Sequence, residues 1–96
     1  MKSHFHELAS AELDEAIAYY DTKTEGLGDR LLAEVRSAVA HIEQYPEGSS
    51  VISRGVRRKV LAKFPFDLFY VIGNADILIL AIAHESRRPG YWRSRL

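Results

Sequence analysis

Residues 77–83, Ile-Leu-Ile-Leu-Ala-Ile-Ala, contain no polar side chain, and this run constrains the fold more than any other part of the sequence. A strand with one face in water alternates apolar and polar residues. A strand without polar interruption is covered on both faces and lies near the centre of a sheet. The run is also far shorter than the roughly 20 apolar residues that cross a bilayer as a helix. Gly73-Asn74-Ala75-Asp76 precedes it and offers a turn, so the aromatic and aliphatic segment 66–72 pairs with it as a hairpin.

The remaining pattern supplies the cover. Residues 2–7 are short and alternating, with Phe5 between two histidines, and read as a strand. A helix is expected to begin near Ser10, a good N-cap, with Glu12, Asp14 and Glu15 against the positive end of its dipole. Leu13, Ile17 and Tyr20 recur at helical spacing, with Ala9 and Ala16 beside that stripe. Gly26 and Gly28 interrupt it. A second helix carries Leu31, Val35, Ala38 and Ile42 on one face and stops at Tyr45-Pro46. Residues 46–50 read as loop, residues 56–63 as a strand of mixed basic and apolar residues, and Pro65 as part of the turn before the next strand. The expected architecture is α+β in the order β-α-α-β-β-β: a curved, mostly antiparallel sheet with a two-helix hairpin on one face, all within one domain spanning residues 1–96.

Ninety-six residues, 47% of them apolar, suffice for one core. There is no cysteine, which excludes disulfides and thiolate metal sites and fits a reducing cytoplasm. No secretory h-region opens the chain. The formal net charge is zero, but residues 1–48 carry four basic against ten acidic residues, and residues 49–96 carry nine basic against three acidic. Oppositely charged halves make a dipolar surface. The basic half suits nucleic acid or an acidic protein face, or else neutralises the acidic helices within the fold.

Two basic groups stand out. On a strand, Arg58 shares a face with Val56 and Val60, while Arg57, Lys59, Leu61 and Lys63 share the other, which is the better anion-binding row. The same residues can equally guard a sheet edge. The tail places Arg87, Arg88, Tyr91, Trp92, Arg93 and Arg95 together. Arginine beside aromatics stacks on bases, binds phosphates or anchors a protein interface, and Trp92 can instead close one end of the core. His84, just after the apolar run, is a candidate general acid or base, or a hydrogen-bonded strand end. His4 and His6 lie two apart without an evident third metal ligand. No phosphate loop, dinucleotide fingerprint, nucleophile elbow or zinc motif is present, so no catalytic residue, metal or cofactor is assigned.

The segments Val56-Arg57-Arg58, Phe64-Pro65-Phe66 and His84-x-x-Arg87-x-Pro89-x-Tyr91-Trp92-x-x-Arg95 together resemble the RelE/ParE superfamily of bacterial type II toxins. The resemblance runs over nearly the whole chain and implies the same fold. One branch of that superfamily looks like ribosome-dependent messenger-RNA endonucleases, with basic sheet residues for the phosphate and a tail residue for proton transfer. The ParE branch, which includes plasmid-stabilisation proteins, is implied to poison DNA gyrase by binding it. Both are neutralised by a co-encoded antitoxin, through which the complex contacts operator DNA.

The Phe64-Pro65-Phe66 turn and the tail look more like the ParE branch. Where the nuclease branch has arginine before the hydrophobic run, this chain has Asp67, whose carboxylate repels a scissile phosphate. The expected function is therefore a ParE-like toxin acting on gyrase. The alternative is a RelE-like endoribonuclease, and an inactive remnant of the fold is a third reading. Arg57, Arg58, Lys59, Lys63, His84, Arg87, Tyr91, Trp92 and Arg93 are the expected target-binding residues. Tyr19, Tyr20, Leu27 and Leu31, near the helix hairpin, are the expected antitoxin contacts.

Overall fold

The computed structural model describes residues 1–96. Its elements are β1 (Lys2–Phe5), α1 (Glu7–Lys23), α2 (Leu27–Gln44), β2 (Val51–Ser53), β3 (Val56–Val60), β4 (Phe66–Ile72) and β5 (Asp76–His84), followed by a short 3-10 helix over Tyr91–Arg95. The five strands form one sheet in the order β1-β5-β4-β3-β2, with β1 parallel to β5 and every other pair antiparallel.

The apolar run is the second strand from one edge, flanked by β1 and β4, and it is buried on both faces. On one side Ile77, Ile79 and Ile82 join Leu68 and Tyr70 of β4 and Leu31, Val35, Ala38 and Ile42 of α2 in the main core. On the other, Leu80 and Ala81 meet Val56 and Trp92. A β-bulge produces this division. Phe69 pairs with Ala81 but Tyr70 pairs with Ile79, so Leu80 is the extra residue. Strict alternation would have sent Ile82 away from the helices; the bulge returns it to them.

The helices follow the expected stripes, with two differences at their ends. Helix α1 starts at Glu7, not after Ser10, because the imidazole of His6 is the cap: its Nδ1 accepts the Leu8 N–H at 3.0 Å. His6 thus lies beyond the strand, and the two histidines serve different ends, since His4 Nδ1 stands 3.3 Å from Asp76. The chain turns between the helices at Gly26, whose φ of 82° lies in the left-handed region that glycine adopts without a steric cost. Asp21, at the end of α1, then accepts the Gly28 N–H at 2.8 Å and caps α2 from outside.

The sheet also departs from expectation. A fourth C-terminal strand, β2, pairs with β3 through the Arg54-Gly55 turn, giving β-α-α-β-β-β-β. Strand β3 ends at Val60: Leu61, on the helix-side face with Lys59, still donates its N–H to the Phe66 carbonyl and points into the main core, and the chain then turns through Pro65 into β4. No helix is long and apolar enough to cross a membrane.

Candidate functional site: the arginine tail and the helix-side groove

Register decides where each basic residue points. Arg57 and Lys59 pair with Tyr70 and Leu68, which face the helices, so this row lies on the helix side and is not an open anion-binding face. Its charges are engaged locally. Arg57 Nη1 donates to the carbonyls of Ser49 at 2.7 Å and Glu47 at 3.3 Å, and Lys59 Nζ donates to His41 Nδ1 at 3.1 Å. Arg58, opposite Phe69, emerges on the other face. Lys63 lies beyond the strand, near the helix hairpin, where its N–H donates to Glu34 at 3.0 Å.

The tail returns across the face that Arg58 occupies. Arg58, Arg87 and Arg88 border a cleft of about 160 Å³ with Asp67, Phe69 and Tyr91. Trp92 is 2% exposed and packs on Phe69 with ring centroids 5.3 Å apart, so it supports the tail and offers no contact surface. Arg93 is exposed, with its guanidinium 5.9 Å from the Trp92 ring. Arg87 is exposed and lies 3.8 Å from the centroid of the Tyr91 ring.

One carboxylate fastens this tail to α1. Glu12 Oε1 accepts the Ile82 N–H at 3.0 Å and Arg95 Nη1 at 2.9 Å. Glu12 Oε2 accepts the Tyr91 hydroxyl at 2.7 Å and Arg95 Nη2 at 2.9 Å. Arg95 Nη1 also donates to the carbonyl of bulged Leu80 at 2.9 Å. Strand β1 pairs with β5 only as far as Ile79, so Glu12 and Arg95 satisfy backbone groups that a longer β1 would have covered. Burial pushes the Glu12 carboxyl up, but the bonds from Arg95, Tyr91 and the Ile82 N–H outweigh it and hold it below the ordinary carboxylate range. Burial, and then the hydrogen bond to Glu12, raise Tyr91 well above the usual phenol value.

Asp67 has the opposite environment. Burial raises its carboxyl, Arg58 opposes that only in part, and its Oδ1 is buried without a hydrogen-bond partner. A raised value means that the ionised form weakens the fold, an effect absent at acid pH and growing as pH rises through the folded value. Asp67→Asn is accordingly expected to stabilise the chain at neutral pH, by about 1 kcal/mol or less because Asp67 as a whole is only half-buried. Thermal melts of both proteins at neutral and acid pH check this; the difference should close on acidification.

His84 closes the helix-side end of β5. Its ring packs on Phe66 at 5.2 Å, and its Nδ1 accepts from the Ser86 N–H at 3.0 Å and faces the Ser86 hydroxyl at 2.7 Å. That arrangement assigns the neutral-form proton to Nε2.

Beside it a groove of about 540 Å³ runs between α1 and the end of β5, bordered by Tyr19, Tyr20, Leu27, Phe66, His84 and Arg87. A second groove of about 760 Å³ continues from Tyr20 and Leu27 to Phe64 and Pro65. Edge-to-face contacts link Tyr19, Tyr20, Phe64 and Phe66 along this path. Leu31, in contrast, is fully buried in the main core and faces no partner.

The fold is that of the toxin superfamily suggested by the sequence motifs. The family described as "ParE toxin of type II toxin-antitoxin system, parDE" matches residues 4–89, and the chain belongs to that family. The solved structure of the "Chromosomal ParDE TA system from P. aeruginosa" is similar in fold, with a TM-score of 0.78 over 88% of this chain and 95% of that one at 22% identity. Among curated proteins none matches.

Proposed function

We propose that this toxin acts by binding DNA gyrase through its arginine tail and does not cleave RNA. The observation that carries this reading is the state of Tyr91. A ribonuclease of this superfamily needs a tail group that exchanges a proton. Here the phenol O–H is committed to Glu12 at 2.7 Å, and burial together with that bond raises it above the usual phenol value, so it is a poorer proton donor to a substrate. Asp67 weighs the same way, since it borders the cleft and stands where the nuclease branch has arginine. Exposed Arg87, Arg88 and Arg93 remain for an acidic face on the target.

A supercoiling assay with purified gyrase, run beside in-vitro translation with messenger cleavage mapping, tests this. Inhibited supercoiling with intact messenger is expected; cut messenger would replace the reading with the ribonuclease. Arg87→Ala should lower toxicity about tenfold or more without moving the melting temperature, as a truncated interface arginine does.

The same reading gives the paired grooves to the antitoxin, as an apolar segment laid over Tyr19, Tyr20 and Leu27. Tyr19 is 57% exposed, so Tyr19→Ala spares the core. It is expected to weaken the complex with the co-encoded antitoxin about tenfold or more. Light scattering on the co-expressed pair and titration of the purified partners measure it.

A further inference from the structure

We infer that Glu12 is the positioning residue of the tail: by holding the Tyr91 hydroxyl it fixes the ring face on which the Arg87 guanidinium rests. This rests on the reading of the tail as the effector surface and adds to it a residue on the opposite arm of the chain.

Each oxygen of Glu12 accepts two hydrogen bonds, from Ile82 and Arg95 on one side and from Tyr91 and Arg95 on the other. A carboxylate so occupied has no freedom to rotate, and the phenol pinned to it has little. Two guanidiniums lie against the Tyr91 ring, Arg87 at 3.8 Å and Arg95 at 5.1 Å from its centroid.

Arg95 has its own anchors in Glu12 and the Leu80 carbonyl. Arg87 has none: the ion pairs of the fold are His4–Asp76 and Arg95–Glu12, and no hydrogen bond involves its guanidinium. The Tyr91 ring is therefore what orients Arg87; the smaller core packs against that ring, and Glu12 fixes its hydroxyl end. A contact between an exposed cation and a ring is weak by itself, so the orientation depends on the ring staying in place. Glu12 reaches the tail across 79 residues of sequence to Tyr91 and 83 to Arg95, which is why no local pattern marks it.

The test is a double-mutant cycle on toxicity with Glu12→Gln, Arg87→Ala and both together, scored as the inducer dose for half-maximal growth inhibition. Both single variants should raise the dose, Arg87→Ala by about tenfold, and the double variant should be no worse than Arg87→Ala alone. In parallel, NMR relaxation of the Arg87 Nε–H group should show it more restrained than Arg88 in the native chain and equally mobile in Glu12→Gln. Tyr91→Phe keeps the ring but loses the anchor. It should repeat the Glu12→Gln result and carries the test where that variant melts early. Additive losses, or unchanged Arg87 mobility, overturn the inference while leaving the tail as effector. Full toxicity of Arg87→Ala overturns the effector reading and the inference with it.

Discussion

Trp92→Ala is expected to be the most damaging single truncation in the chain outside the main core. The indole is 2% exposed and joins Val56, Leu80 and Ala81 in the smaller core beneath the tail. Truncating a buried tryptophan costs about 3–5 kcal/mol through lost transfer energy and the cavity left behind. For a chain of this size that lowers the melting temperature by roughly 12 °C or more. The effect should be purely structural at first: toxicity falls because folded protein is scarce. Circular dichroism melts beside growth assays separate this from Arg87→Ala, whose toxicity should fall while its melt stays put. A Trp92→Ala protein that melts like the native chain would show that the small core does not support the tail.

Arg95→Ala should follow closely. It leaves the Leu80 carbonyl without its donor and removes the cation from Glu12, at sites where the two side chains are only 9% and 14% exposed. Breaking such a pair from one side costs about 3 kcal/mol, the low end for a buried pair. The pH dependence gives the check. Glu12 has a folded value below its unfolded one, so its stabilisation is present above the unfolded value and is lost as pH falls through the folded value. The gap between the native and Arg95→Ala melting curves is therefore expected to be widest near neutrality and to narrow on acidification. A gap that does not change with pH would mean that Arg95 acts through packing and the Leu80 carbonyl and not through Glu12.

Local patterns carried much of the fold. The polar-free run, the helix stripe through Leu31, Val35, Ala38 and Ile42, and the Gly73–Asp76 turn each depend on neighbours in sequence, and each became the expected element. What stayed hidden depends on distant partners. Strand β2 is only Val51–Ser53 and gains its identity by pairing with β3. The capping role of His6 lies outside the usual N-cap residues.

The site divides in the same way. Arg87, Arg88 and Tyr91, which border one cleft, were legible as a cluster because they are close in sequence. The alternation that separates Arg58 from Arg57 and Lys59 was also legible, but which face meets the helices was not, since register with β4 decides it. Glu12 read only as a helix-dipole partner. Its sole signal was an acidic residue near the start of α1, and that feature is shared with Asp14 and Glu15.

The parallel pairing of β1 with β5 also sets the order of assembly. Lys2 registers with Asp76, so the first strand made by the ribosome has no partner until the chain is almost finished. The β4–β5 hairpin and the α1–α2 hairpin close over short loops, whereas β1 must close a loop of more than seventy residues and pays the larger entropy. Glu12 waits for the same event, because Ile82, Tyr91 and Arg95 all arrive late. A chain still being translated therefore lacks both the β1–β5 pairing and the Glu12 bonds that fasten the tail, and the two become possible together at the end of synthesis.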